Sequence, residues 1–139
     1  MSRADRVNVE SEGDALTAAA SGHWDVRVAA GQWLAANATP AYRTVLLALL
    51  IDKENTAVSM NTAAALLDSP TEFSVSMVMR ALAVTDAAGD DETLEHLLFA
   101  IGPYLFQSSP PIGLSESIDR CMATADHEVT IGLQLAGLT

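Results

Sequence analysis

The stretch His23-Trp24-Asp25-Val26-Arg27-Val28-Ala29-Ala30-Gly31-Gln32-Trp33-Leu34-Ala35 decides how the rest of the chain is read. Val26, Ala29, Ala30, Trp33 and Leu34 fall at i, i+3, i+4, i+7 and i+8, the spacing of one buried helical face. A helix from Asp25 to about Ala36 follows, stopped at Asn37, with Pro40 suited to the first turn of the next helix. The pattern returns 32 residues on, where Val58, Met60 and Leu66 stand in the places of Val26, Val28 and Leu34. Self-similarity at that period marks stacked helical hairpins.

Outward from this stretch the composition agrees. Of 139 residues, 50% are hydrophobic and only 5% aromatic, with abundant alanine and few runs of β-branched residues. One all-α domain with helices packed through small side chains is expected. Residues 1–13 mix charge with Asn and Ser and read as a mobile leader, leaving 14–139 as a single helical domain. Asp14 is placed to cap a helix from Ala15 to Ala20. Further helices are read at Pro40 to Ile51, Thr56 to Leu67, Thr71 to about Val84, Asp91 to Phe106 and Leu114 to Ala123, with a last one opening at Asp126. The loop Thr85 to Asp90 is expected to be long. Aligning Val58 with Leu97 sets the third inner helix 39 residues after the second, and the fourth follows after about 32 more. Gly102-Pro103 inside the Asp91 helix is expected to bend it.

The run Trp24-Asp25-Val26-Arg27-Val28-Ala29-Ala30, followed by Leu34, resembles the second helix of a HEAT-like repeat, in the short form common among bacterial repeat proteins. The resemblance covers roughly residues 14 to 138 and implies a short right-handed α-α superhelix of about four hairpins. It also implies a repeat pair, Asp25 and Arg27, hydrogen-bonding between neighbouring copies. The second copy has Ala57 and Ser59 at those places and the fourth has Asp126 and Thr130, so the ladder is broken. Some HEAT-like metalloenzymes hold iron with several His-Glu dipeptides. His127-Glu128 is one such dipeptide, but Glu95-His96 is reversed and His23 has no adjacent acid, so neither a metal nor another cofactor is expected.

The charge excludes several functions. Seven Lys plus Arg against 18 Asp plus Glu give −11, a surface that repels nucleic acid and anionic membranes and suits a basic protein partner. The lone Cys121 forms no internal disulfide and reads as a buried thiol. The most apolar segment, Val45 to Ile51, is too short to span a bilayer, and no signal peptide is evident, so a cytoplasmic protein is expected.

No nucleophile elbow, phosphate loop or dinucleotide fingerprint occurs, and a conventional enzyme is not expected. Trp33 lies on the apolar stripe and reads as core, whereas Trp24 precedes the helix and staples it. The acidic run Asp86, Asp90, Asp91, Glu92 and Glu95 is the candidate contact surface, although first-turn acids also complement a helix dipole. These features point to non-catalytic protein–protein recognition. The alternatives are an acidic immunity- or antitoxin-type inhibitor of a basic protein, or an accessory protein similar to HEAT-like chromophore lyases that binds a small ligand. DNA-lesion recognition as in HEAT-like glycosylases conflicts with the charge and the length. The last helix is apolar on several sides, so a homodimer through it, or cover by the leader, is expected.

Overall fold

The computed structural model describes residues 8–107 and 109–139. Among them the protein is all-helical, with eight α-helices and no strand. In chain order these are α1 (Glu12–Ala19), α2 (Trp24–Ala36), α3 (Arg43–Leu50), α4 (Thr56–Asp68), α5 (Glu72–Ala87), α6 (Asp91–Leu105), α7 (Leu114–Thr124) and α8 (His127–Leu135), with a 3-10 turn at Pro40–Tyr42 before α3. No helix among the described residues is long and apolar enough to cross a membrane.

Local chemistry sets the boundaries. Residues 1–7 of the expected leader lie outside the described residues, and the remainder opens α1. Ser11, not Asp14, is the cap: its hydroxyl accepts from the Asp14 amide at 3.1 Å, while Asp14 reaches back to the Glu10 amide at 3.2 Å. Thr71 and Ser74 form a reciprocal capping box at the start of α5. That helix runs to Ala87, three residues past its expected end, so the following turn is short and closes at Gly89 with φ +70°.

Helices α2 and α4 bury matching positions. Val26, Arg27, Ala30, Gly31, Leu34 and Ala35 are the buried residues of α2, and the buried residues of α4 are the same positions moved by 32. Trp33 lies beside that face, part-buried and tilted against Tyr42 at 6.2 Å between ring centroids. The two helices cross closely because Gly31 has no side chain. A Cβ there would stand 2.2 Å from the Thr62 hydroxyl oxygen.

The later offsets differ from those expected. The caps His23, Asn55, Asp90 and Asp126 are spaced by 32, 35 and 36 residues. Thr93 is therefore the equivalent of Val58, and Leu97 of Thr62. Aligning leucine with valine by residue type shifted the register by one helical turn each time.

Alternate helices stack, α2 on α4 on α6 in one row and α3 on α5 on α7 in the other. The first six helices also pack as consecutive pairs. The last two do not follow: α7 and α8 both make their main contact with α5. Val129, Gly132 and Leu133 of α8 are buried there, so much of the apolar surface expected to mediate a dimer is covered by the chain itself. A Cβ on Gly132 would lie 1.9 Å from the Met79 carbonyl oxygen, which is backbone and cannot turn aside.

Gly132→Ala is therefore expected to destabilise the protein by about 1–3 kcal/mol, the usual cost of overpacking, even though alanine is the better helix former. Urea denaturation read by circular dichroism checks this. An unchanged or raised midpoint would contradict the close α5–α8 contact.

Candidate functional site

Helix α6 divides into two faces. Thr93, Leu97 and Ile101 are buried against α4 and α5. At 3.6 residues per turn, Glu92, Glu95, Phe99, Pro103 and Phe106 gather within roughly 80° on the opposite side. All five are exposed. Phe99 is 76% and Phe106 67% accessible, and Ile112 in the following loop is 99% accessible. The helix continues through Pro103, and the Phe106 amide bonds the Gly102 carbonyl at 3.0 Å. The amide that proline lacks would have served the carbonyl of Phe99, on the wet side where water can replace it.

The five candidate acids separate by role. Asp91, Glu92 and Glu95 are exposed on α6, and Asp86 is exposed near the end of α5. Asp90 is part-buried and caps α6, accepting from the Thr93 amide at 3.3 Å. Its bonds with Thr93, aided by Lys53 and His96 nearby, hold the carboxyl below its usual range. Phe99 and Phe106 are not among the sequence candidates. Their signal was the seven-residue spacing, off the stripe of Leu94, Leu97, Leu98, Ile101 and Leu105.

Two arginines fasten the helices, each to a pair of acids spaced Asp-x-Glu. Arg27, almost fully buried on α2, donates through Nε to Asp52 at 3.0 Å and through Nη1 to the Ser21 carbonyl at 2.9 Å, with Glu54 at 3.6 Å. The other oxygen of Asp52 accepts from the amides of Glu54 and Asn55, which ties the turn before α4 to α2. Arg27 thus joins α2 to the turn between α3 and α4, with Asp52 as acceptor. Asp25 accepts from the Val26 amide at 3.1 Å. A cleft of about 350 Å³ is lined by Arg27, Asp52 and Glu54 together with Ala48 and Leu49.

Arg80 of α5 donates to Glu128 at 2.7 Å and to Asp126 at 2.9 Å, pinning the start of α8. Burial by itself lowers the Arg80 value, but the two carboxylates outweigh it and raise it. Asp126 also caps α8 through the Val129 amide, and this bond, followed by Arg80, holds its carboxyl below the usual range. Cys121 lies beside this clasp in a cleft of about 250 Å³, its thiol pushed up to about 11 chiefly by burial and so protonated at neutral pH. Among the described residues no three His, Cys, Asp or Glu side chains come together as a metal site. His23 and His127 are exposed at helix starts, His96 is part-buried, and Glu128 is engaged by Arg80.

Asp126→Ala removes a cap and one arm of the clasp, and should cost about 1–2 kcal/mol. Because the native Asp126 value is lowered, its contribution is complete above the ordinary value of 3.8 and is lost as the pH falls through the native value. The difference in urea midpoint between wild type and variant should therefore be smaller at pH 3 than at pH 7. A difference that is constant across the range would refute the assignment.

Comparison with protein-family models, with curated proteins and with solved structures gave no match for this chain.

Proposed function

We propose that the chain is a non-catalytic protein-recognition module built of HEAT-like hairpins, and that α6 meets the partner. The observation that carries this reading is the exposure of Phe99 and Phe106 on the side of α6 opposite its buried face. Large aromatic side chains left in water on a rigid helix are the usual anchors of protein interfaces. The stacking of α2, α4 and α6 supports the hairpin array, which presents one helix of each pair along a continuous surface.

An acidic immunity- or antitoxin-type inhibitor is the second reading. Asp91, Glu92 and Glu95 favour it, being exposed in a stretch with no Lys or Arg between Arg80 and Arg120. Such a protein would hold one basic target through a salt-sensitive contact.

The test is affinity capture from native lysate with the wild-type chain, the double variant Phe99→Ser/Phe106→Ser, and a control, Glu10→Gln/Glu12→Gln, around the start of α1. Wild type and control are expected to retain the same partner while the serine variant loses it at unchanged helicity. A partner held equally by all three would remove α6 from the interface. Release of a single basic partner near 0.5 M salt would select the inhibitor reading.

A further inference from the structure

We infer that the outer face of α6 is a docking site for a basic amphipathic helix, lying antiparallel to α6 with its Lys or Arg residues in its last turns. This rests on the reading of α6 as the recognition helix and adds the chemistry of what it recognises.

The stripe has a polarity. Its first half is acidic, with Glu92 and Glu95 flanked by Asp91, and its second half is apolar, with Phe99, Pro103 and Phe106. A complementary surface needs cations at one end and apolar side chains along the rest. From Glu92 to Phe106 the stripe is about 21 Å long at 1.5 Å per residue, which matches a partner helix of three to four turns. An amphipathic helix supplies apolar side chains in a row at i, i+3, i+4 and i+7, the form in which a helix reads a neighbouring apolar strip. The antiparallel sense follows from the dipoles. The acids sit at the N-terminal end of α6, so an antiparallel partner places its C-terminal end beside them, where its own dipole favours Lys and Arg.

A second copy of the chain is a poor occupant. Parallel pairing of two α6 helices would set Glu92 and Glu95 against the same acids, and antiparallel pairing would set them against Phe106 and Pro103. Neither arrangement supplies a cation, and each copy carries a formal charge of −11. Residues 81–119 carry no Lys or Arg, and Lys53 approaches this face only at Asp90, the cap of α6. Arg27 and Arg80, which lie outside that stretch, are already held by carboxylates.

The probe is a fluorescein-labelled 14-residue peptide with Leu at i, i+3, i+4 and i+7 and Lys in its last turns, compared with a scrambled peptide of the same composition. Fluorescence anisotropy with the full chain is expected to show saturable binding of the patterned peptide, at least tenfold tighter than the scramble, and weaker by about tenfold between 50 and 500 mM salt. Phe99→Ser/Phe106→Ser should weaken it more than tenfold. Glu92→Gln/Glu95→Gln should weaken it several-fold and flatten the salt dependence, and Glu10→Gln/Glu12→Gln should leave it unchanged. Equal binding of both peptides, or equal loss in the α1 control, would overturn the proposal as mere attraction of cations to an acidic protein. Self-association in sedimentation that the serine variant abolishes would overturn it in favour of a second copy. If the lysate partner still depends on Phe99 and Phe106 while the patterned peptide fails, the basic helix is refuted and the recognition reading stands. If both fail, that reading falls with it.

Discussion

The approach of α8 to the backbone of α5 is the constraint on which the rest of the arrangement depends. At Gly132 the two helices come so near that a single methyl group would collide with the Met79 carbonyl. Helix α5 is the longest among the described residues and buries nine of its 16 residues, with α3, α4, α6, α7 and α8 all packed around it. Its buried surface includes Val75, Met77, Val78, Met79, Ala81 and Leu82, apolar at neighbouring positions as a helix surrounded on several sides requires. Phe99 and Phe106 stay largely exposed beside this packing, the ring tip of Phe106 lying near Gly137 just after α8.

Apolar burial holds the layers together, and the two arginines fix how they meet. A guanidinium offers donors in a planar fork, so it can take two separate acceptors at once, which the point charge of a lysine cannot do in the same geometry. Arg27 joins α2 to the turn before α4, and Arg80 joins α5 to the first turn of α8. In both places the Asp of the Asp-x-Glu pair also accepts backbone amides, so one carboxylate closes a local turn and a long-range contact together. Removing such a group breaks two levels of structure at once. Each clasp engages one of only seven Lys and Arg with two of the 18 acids, so most of the carboxylates stay outside the clasps.

How much of this was legible in the sequence follows from which signals are periodic. The helices, the 32-residue correspondence of α2 and α4 and the cap at Asp126 are local or periodic features, and they read directly. The first cap was harder, since Ser11 and Asp14 are both good capping residues and only the helix start decides between them. The later spacing was harder, because Leu97 resembles Val58 more than Thr93 does, whereas counting from the caps Asn55 and Asp90 sets Thr93 in the place of Val58. Pairing of α7 and α8 with α5 was not legible, because it depends on a long-range close approach at Gly132. The acidic run was found as a cluster, but Asp90 proved to be a cap and Asp86 to lie on another helix. Phe99 and Phe106 escaped because an apolar residue is read as core by default, and only their position opposite the leucine stripe gives them away.

Exposed aromatics on a small protein ordinarily invite self-association, and the acids on the same face answer that risk. Glu92 and Glu95 fall within the stripe that carries Phe99 and Phe106, so any contact between two copies that buried the rings would also bring uncompensated carboxylates together or desolvate them. The cost applies only to an occupant without cations. A surface that pairs apolar anchors with one sign of charge discriminates against its own kind and against neutral apolar surfaces by the same means, since both leave the carboxylates unpaired. The −11 charge, which on composition alone could be a device for solubility, gains on α6 a second physical consequence, because there it borders the one kind of surface that needs a partner's apolar atoms to leave water.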